Sequence, residues 1–151
     1  MTPQQCADLA RVVFGGSGMH DGVAYATDGF AMAVVIGATL PTDWRASPSN
    51  RIEHCVGSCP TQGNAIVMTA EDIRRVASRV ARSAPIALMR LTPVRAGYLR
   101  NVADLTPPPE AVVLWSDEVE PGLPVLCAQV GPHMRVVIAA RTDRPLSMIA
   151  P

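Results

Sequence analysis

Apolar residues recur with a helical period in the first segment of the chain, residues 3–14. The positions that share one face are Cys6, Leu9, Ala10 and Val13. Thr2 can cap this helix, Pro3 suits its first position, and Gln5 completes a capping box. The glycine pair that follows at Gly15 is a typical end signal. The pattern therefore predicts a capped helix over residues 3–14.

A second helical pattern covers residues 69–84. Thr69 can cap its start, Asp72 stands three residues later, and Pro85 ends the run. The apolar stripe consists of Ile73, Val76, Ala77, Val80 and Ala84. The opposite side carries Arg75, Arg79 and Arg82, with Arg74 on its flank. The pattern predicts a helix that packs one face on a core and presents arginines on the other.

Two interpretations of this arginine face are open. Many helices simply present a solvated charged back. Solvated backs usually mix signs, however, because opposite charges four residues apart stabilise a helix and like charges destabilise it. No acid accompanies the arginines after Asp72. An all-arginine face therefore favours contact with a phosphate backbone or an acidic protein surface.

Short apolar or alternating runs predict strands elsewhere in the chain. Two of them flank the Asp28-Gly29 pair, which is a strong hairpin signal but equally fits a bulge inside one long strand. The predicted strands lie at residues 22–26, 30–36, 51–55, 65–68, 86–91, 97–103, 111–115, 125–130 and 134–140. Residues 15–22 and 37–50 are rich in glycine, proline and polar residues and are predicted as loops.

The order of the predicted elements is helix, strands, helix, strands. This order is typical of an α+β fold, here with two helices packed on antiparallel sheets. Each helix is followed by strands, which indicates a weak pseudo-repeat with halves of about 1–64 and 65–151. A chain of 151 residues, 48% of them apolar, is expected to fold as a single domain, residues 1–151.

The charge is balanced overall but unevenly distributed. The formal net charge is +0, and all 13 basic residues are arginine. Residues 74–100 contain arginines and no acid, whereas residues 104–120 contain acids and no base. This segregation predicts a surface with a positive and a negative face. The absence of lysine also fits a coding sequence of high GC content.

No membrane contact is expected, since the chain has no apolar run of about 18 residues. The first residues show no basic stretch followed by an apolar one, so no secretory signal is expected either. These observations predict a cytoplasmic protein. In that compartment the cysteines are expected as free thiols.

A metal site is the weakest alternative. His54, Cys55 and Cys59 lie close together in the sequence. Structural zinc, however, needs four ligands, usually in two close pairs, and the remaining histidines and cysteines are scattered. We therefore predict no metal and no cofactor.

No catalytic set is complete either. Ser17 lies in a glycine-rich stretch that lacks the last glycine of a nucleophile elbow. Cys55 and His54 would point to opposite faces of a strand. Asp28 and Asp21 could be considered a catalytic carboxylate pair, but Asp28 is better suited to turning the chain and bonding its own backbone. The prediction is a protein that is not an enzyme.

One nine-residue segment resembles a known family. Residues 25–33 read Tyr-Ala-Thr-Asp-Gly-Phe-Ala-Met-Ala. They resemble the Ala-Thr-Asp-Gly-His-Arg-Leu-Ala signature of bacterial sliding clamps, the DNA polymerase III β subunit. Residues 66–73 resemble that family's Ile-Val-Pro-x-x-x-Leu pattern, in which a strand feeds the second helix. The resemblance implies a clamp-like domain built from two β-α-β-β-β halves.

The resemblance also implies candidate site residues. Thr27, Gly29 and Met32 match the signature of the pocket that takes partner peptides, whereas Phe30 and Ala31 replace its His and Arg. In the family, helices line the ring and their basic side chains face DNA. The matching residues here are Arg74, Arg75, Arg79 and Arg82, with Arg11 as a weaker candidate. Clamp subunits carry three such domains, so a ring of this chain would need about six copies or another partner.

Two functions are compatible with these features. The first is a non-enzymatic, sliding-clamp-like protein that contacts double-stranded DNA independently of sequence, as an oligomeric ring. The alternative is a small interaction module of phage or mobile-element type. It would bind a host replication protein or another protein, without DNA.

Overall fold

The computed structural model describes residues 1–43, 49–60, 64–107, 110–119, 121–140 and 147–149. Its helices are α1 (Pro3–Phe14), α2 (Ser49–Gly57), α3 (Ala70–Ala77) and α4 (Ala96–Asp104). The first strands are β1 (Gly16–His20), β2 (Val23–Thr27), β3 (Ala31–Ile36), β4 (Ala65–Thr69) and β5 (Pro85–Leu88). The others are β6 (Val94–Arg95), β7 (Ala111–Glu118), β8 (Pro124–Val130), β9 (Met134–Ala139) and β10 (Ser147–Ile149).

The strands form two sheets. The larger has seven antiparallel strands in the order β1-β2-β3-β9-β8-β7-β4. The smaller has the order β10-β5-β6, with β10 parallel to β5. The architecture is therefore α+β with mostly antiparallel pairing, as the sequence predicted. Ala33 on β3 faces Val136 on β9, so the central pairing joins residues from both predicted halves.

Alternation along the strands separates two cores on the two faces of the large sheet. Ala24 and Ala26 on β2 face the main core, which α1, α3 and α4 cover. Tyr25, between them, faces a second core that includes Ile52 and Cys55 of α2. The helices therefore lie in two layers, three on one face of the sheet and α2 on the other. None of the helices in the described ranges has the length and apolarity to cross a bilayer.

The predicted capping box at the start of α1 is present in the structure. Thr2 Oγ1 accepts a hydrogen bond from the Gln5 amide at 3.1 Å, and Gln5 Oε1 accepts one from the Thr2 amide at 2.9 Å. This is the predicted capping box. The Asp28-Gly29 turn joins β2 to β3 as a hairpin, which decides between the two alternatives that the sequence left open.

The arginine-bearing helix is shorter than predicted. Thr69 caps it, with its hydroxyl 3.1 Å from the Asp72 amide, but α3 ends at Ala77 instead of continuing to residue 84. The guanidinium of Arg100 donates to the carbonyl oxygens of Ala77 and Val80. These contacts satisfy carbonyls that a longer helix would have used internally. Arg79 and Arg82 therefore lie beyond the helix.

Three predicted elements have the wrong type. Residues 97–103 lie in α4 and residues 51–55 lie in α2, so the described part of the chain contains four helices and not two. Both segments are short runs of mixed polar and apolar residues, whose type periodicity alone does not decide. Residues 15–22, predicted as a loop, contain β1. Gly18 is needed there because Tyr25, its cross-strand partner, packs directly over it, and a Cβ at Gly18 would lie 2.5 Å from the Tyr25 hydroxyl.

Candidate functional site

Two of the predicted DNA-binding arginines on α3 form ion pairs. Arg74 contacts Asp104 of α4 at 3.2 Å, and Arg75 contacts Asp72 at 3.0 Å. Glu71 lies 4.0 Å from Arg75 as well. The helix face that reads as purely cationic in sequence is therefore partly neutralised. The acid of the first pair comes from the segment 104–120 that was predicted to form a separate negative face.

The other two arginines lie on the turn after α3. Arg79 and Arg82 are exposed, and among the described residues no carboxylate lies within 4.0 Å of either guanidinium. Arg82 contacts the Asn101 side-chain oxygen at 3.3 Å, and its carbonyl accepts a 2.8 Å hydrogen bond from Gly97. Helix α4 thereby holds the turn in place. We call Arg74, Arg75, Arg79 and Arg82 the arginine surface.

Arg100 of α4 holds the backbone that carries this surface. Its Nε and one terminal nitrogen donate to the Ala77 carbonyl at 3.1 and 3.0 Å, and that terminal nitrogen donates to the Val80 carbonyl at 2.7 Å. A half-buried guanidinium with these partners caps the end of α3 and orients the turn that carries Arg79. No local sequence signal assigns this task to Arg100, since its partners lie 20 and 23 residues away.

Arg11 stands apart from the arginine surface in the chain, on α1, which covers the same face of the large sheet. Its side chain is exposed, and among the described residues it forms no ion pair with Asp8. Asp8 instead accepts a hydrogen bond from Gln4 at 2.9 Å. The role of Arg11 stays a prediction.

The signature residues build a tight turn between β2 and β3. The Thr27 hydroxyl donates to the Ala31 carbonyl at 2.8 Å and accepts from the Gly29 amide at 3.0 Å. Asp28 Oδ1 accepts from the amides of Phe30 and Ala31 at 2.9 and 3.0 Å. Gly29 has a φ of 96°, which side-chain-bearing residues rarely adopt. Here the signature specifies a hairpin turn.

Two residues that are distant in the sequence, Tyr98 and Arg95, contact this turn. The Tyr98 hydroxyl of α4 donates to Asp28 Oδ2 at 2.8 Å. Burial raises the pKa of Tyr98 well above its usual range, and the hydrogen bond to the Asp28 carboxylate raises it further. The Arg95 guanidinium lies 5.4 Å from the centre of the Phe30 ring.

The predicted partner-binding residues differ in accessibility. Thr27 is 5% exposed and uses its hydroxyl within the turn, while Met32 is 4% exposed and packs in the second core. Only Gly29 of the three is exposed. Phe30, which departs from the family signature, is 57% exposed beside them. A partner that docks at this turn would therefore meet the Phe30 ring and the Gly29 backbone.

Of the comparisons with known proteins, only the comparison with solved structures gives matches. No protein-family profile and no curated protein matches the chain. Among solved structures, the chain is similar to the Helicobacter pylori beta clamp bound to a DNA ligase peptide, with a TM-score of 0.44 and 9% identity. The same clamp in complex with 5-chloroisatin gives a TM-score of 0.41 and 7% identity.

Both matches cover 82% of this chain but only 42% and 44% of the clamp chains. The chain therefore spans less than half the length of these structures. A likeness at this level does not establish membership of the family.

A second polar cluster lies where α2 meets the sheet. The buried Trp115 indole donates to Ser58 Oγ at 2.9 Å, and Ser58 donates to Asp117 Oδ2 at 2.5 Å. His54 Nε2 lies 3.4 Å from the same carboxylate oxygen. Although burial opposes ionisation, hydrogen bonds from Ser58 and Glu118 and the nearby His54 lower the pKa of Asp117. The Asp117 carboxylate therefore lies between Ser58, which donates to it, and His54.

The cysteines do not form the metal site considered from sequence. The described residues do not bring ligand atoms of His54, Cys55 and Cys59 within 4.8 Å of one another. Cys55 is buried, and burial is the main reason that its pKa is raised. Burial likewise raises the pKa of Cys127 to about 11. Both thiols are therefore protonated core residues at neutral pH.

Proposed function

We propose that the protein is a non-enzymatic, clamp-like protein that contacts the backbone of double-stranded DNA through the arginine surface. The observation that carries the proposal is the pair Arg79 and Arg82. Both are exposed, neither has a carboxylate within 4.0 Å among the described residues, and α4 fixes the turn that holds them. Guanidinium groups presented in this way suit phosphate oxygens, which carry no sequence information.

Arg74 and Arg75 contribute less in this proposal. Their ion pairs with Asp104 and Asp72 are solvent-exposed, and such pairs are worth about 1 kcal/mol or less. A phosphate can compete with these carboxylates, but part of its attraction is offset. We therefore rank Arg79 and Arg82 first, Arg74 and Arg75 second, and Arg11 last.

Replacing Arg79 with glutamine should make DNA binding less dependent on salt. Each phosphate contact that is lost should reduce the slope of log affinity against log salt by about 1. Fluorescence anisotropy with two duplexes of unrelated sequence, over a series of salt concentrations, measures this slope. The two duplexes should give the same result, because backbone contacts do not read bases.

Arg90→Gln is the matched control. Arg90 is exposed, and it too has no carboxylate within 4.0 Å among the described residues, so the variant removes the same charge elsewhere. Its slope should equal that of the unmodified protein. If the two variants behave identically, only net charge matters and the arginine surface is not the binding site.

We further propose that the protein encircles DNA as a closed ring, because one domain of this size does not surround a duplex. Light scattering at low and moderate salt should then reveal a discrete species near six times 16.0 kDa. A monomer under both conditions would contradict the ring and favour the second candidate function. The cytoplasmic location expected from the sequence stays a prediction.

The second candidate is a small protein-interaction module of the phage or mobile-element type, and β4 is the feature that favours it. This strand lies at one end of the large sheet, carries no charged residue, and exposes 68% of Val67. At the opposite edge, the Asp43 amide and carboxylate bond to the backbone of Ser17 on β1. An open, uncharged edge strand suits an extended segment of a partner, such as a replication protein.

A further inference from the structure

Three side chains from two distant parts of the sequence meet beside the turn between β1 and β2. His20 ends β1, Asp21 follows in the turn, and Glu53 lies on α2. His20 Nε2 is 3.4 Å from Asp21 Oδ2 and 3.7 Å from Glu53 Oε1. All three ligand atoms lie within 4.8 Å of one another. The cluster shares no residue with the arginine surface or with the signature turn.

The donor set and its spacing suit a transition-metal ion. One imidazole nitrogen and two carboxylate oxygens are ligands that zinc commonly takes. Tetrahedral zinc, with bonds of about 2.0–2.2 Å, places neighbouring ligand atoms roughly 3.3–3.6 Å apart. The two distances from His20 Nε2 are close to this range. Water or another ligand would complete the coordination.

The Nε2 atom of His20 supports this assignment, although the side chain is 27% exposed and His54 Nε2 is likewise buried without a hydrogen bond in the described ranges. The atom is buried, yet among the described residues it makes no hydrogen bond, although it faces two carboxylates. A buried polar atom without a partner destabilises the fold. A cation between the three groups would give this nitrogen a ligand bond and would screen the repulsion between Asp21 and Glu53.

We propose that His20, Asp21 and Glu53 form a binding site for a divalent transition-metal ion, zinc being the best fit. Bound metal would connect the β1–β2 turn to α2 and so hold α2 on the sheet. Asp21 and Glu53 are 82% and 70% exposed, so both side chains have room to adjust to the ion. The site goes beyond the proposed function, since it requires neither DNA nor oligomer formation.

Isothermal titration of tag-free, chelator-treated protein with zinc tests the site. We expect one zinc per chain and a higher thermal unfolding midpoint when zinc is present. His20→Ala and Glu53→Gln should each weaken zinc binding at least about tenfold, since even the loss of an outer-shell partner costs about 10–100-fold. Magnesium should bind far more weakly, because it prefers oxygen ligands.

His133→Ala and Glu118→Gln are the matched controls, since they remove a histidine and an acid that lie outside the cluster. They should leave zinc binding and its thermal shift unchanged. Absence of zinc binding would overturn the proposal and leave His20 as a simple ion-pair partner of the two carboxylates. Zinc binding that survives both cluster variants but is lost in Cys59→Ser would overturn it as well, by placing the metal on the exposed thiol.

Discussion

Replacing Arg135 with methionine should lower the free energy of unfolding by about 3 kcal/mol. The Arg135 guanidinium donates to the carbonyl oxygens of Cys55, Val56 and Ser58 at the end of α2. Its Nε also donates to Gln129 Oε1 at 2.7 Å. Charge-assisted hydrogen bonds are roughly twice as strong as neutral ones, and their removal leaves several acceptors without a donor.

Methionine is chosen because it removes the hydrogen bonds of Arg135 and keeps most of its packing. It keeps a long apolar stem beside Trp115, whose ring centre lies 5.5 Å from the guanidinium carbon, but it cannot donate. Urea unfolding followed by circular dichroism gives the free energies. Arg90→Met, at an exposed position, should change stability by no more than about 0.5 kcal/mol. Equal effects of the two substitutions would mean that Arg135 does not hold the end of α2.

Replacing Asp28 with alanine should lower the free energy of unfolding by about 2–3 kcal/mol and lower the pKa of Tyr98. The Asp28 carboxylate accepts from two turn amides and from the Tyr98 hydroxyl. Burial is the largest cause of the raised Tyr98 pKa and would persist, so the pKa should fall only part of the way. Spectrophotometric titration of tyrosinate measures the pKa, and urea unfolding measures the stability.

The sign of the pH dependence follows from the direction of this shift. Folding raises the Tyr98 pKa above its unfolded value of about 10. The resulting stabilisation is fully present below that pH and is lost as pH rises towards the folded pKa. Asp28→Ala should therefore lose stability less steeply above pH 10 than the unmodified protein.

Tyr98→Phe serves as the control for this titration. It should remove the high-pKa tyrosine signal and cost only about 1 kcal/mol, because the turn amides keep their carboxylate acceptor. An unchanged tyrosine titration in Asp28→Ala would show that the carboxylate does not influence Tyr98.

The end of each of two helices is secured by an arginine that the sequence pattern does not single out. Arg100 binds the Ala77 carbonyl at the end of α3 and the Val80 carbonyl just beyond it. Arg135 binds the Cys55 and Val56 carbonyls in the last turn of α2. Arginine is suited to this task because its planar group presents several donors at fixed angles. Some of the arginines in this chain are therefore structural, and their number alone overstates the charge available to a phosphate backbone.

Sequence alone determined the features that depend on neighbours within a few residues. The capping box of Thr2 and Gln5 and the cap at Thr69 formed as predicted, and the Asp28-Gly29 pair formed a hairpin, one of the two alternatives predicted for it. Each involves a hydrogen bond between groups no more than four residues apart. Such contacts form whenever the local backbone is suitable, so the residue pattern is sufficient to predict them.

The tertiary structure decided the features that depend on distant partners. Helix α3 ends where Arg100 reaches it, Arg74 is paired by Asp104 from 30 residues away, and Met32 of the signature lies in the second core. The segments of α2 and α4 are too short for periodicity to decide their type. Packing against the sheet and against α3 decided it instead, because burial of an apolar face outweighs the small intrinsic preferences of a short segment.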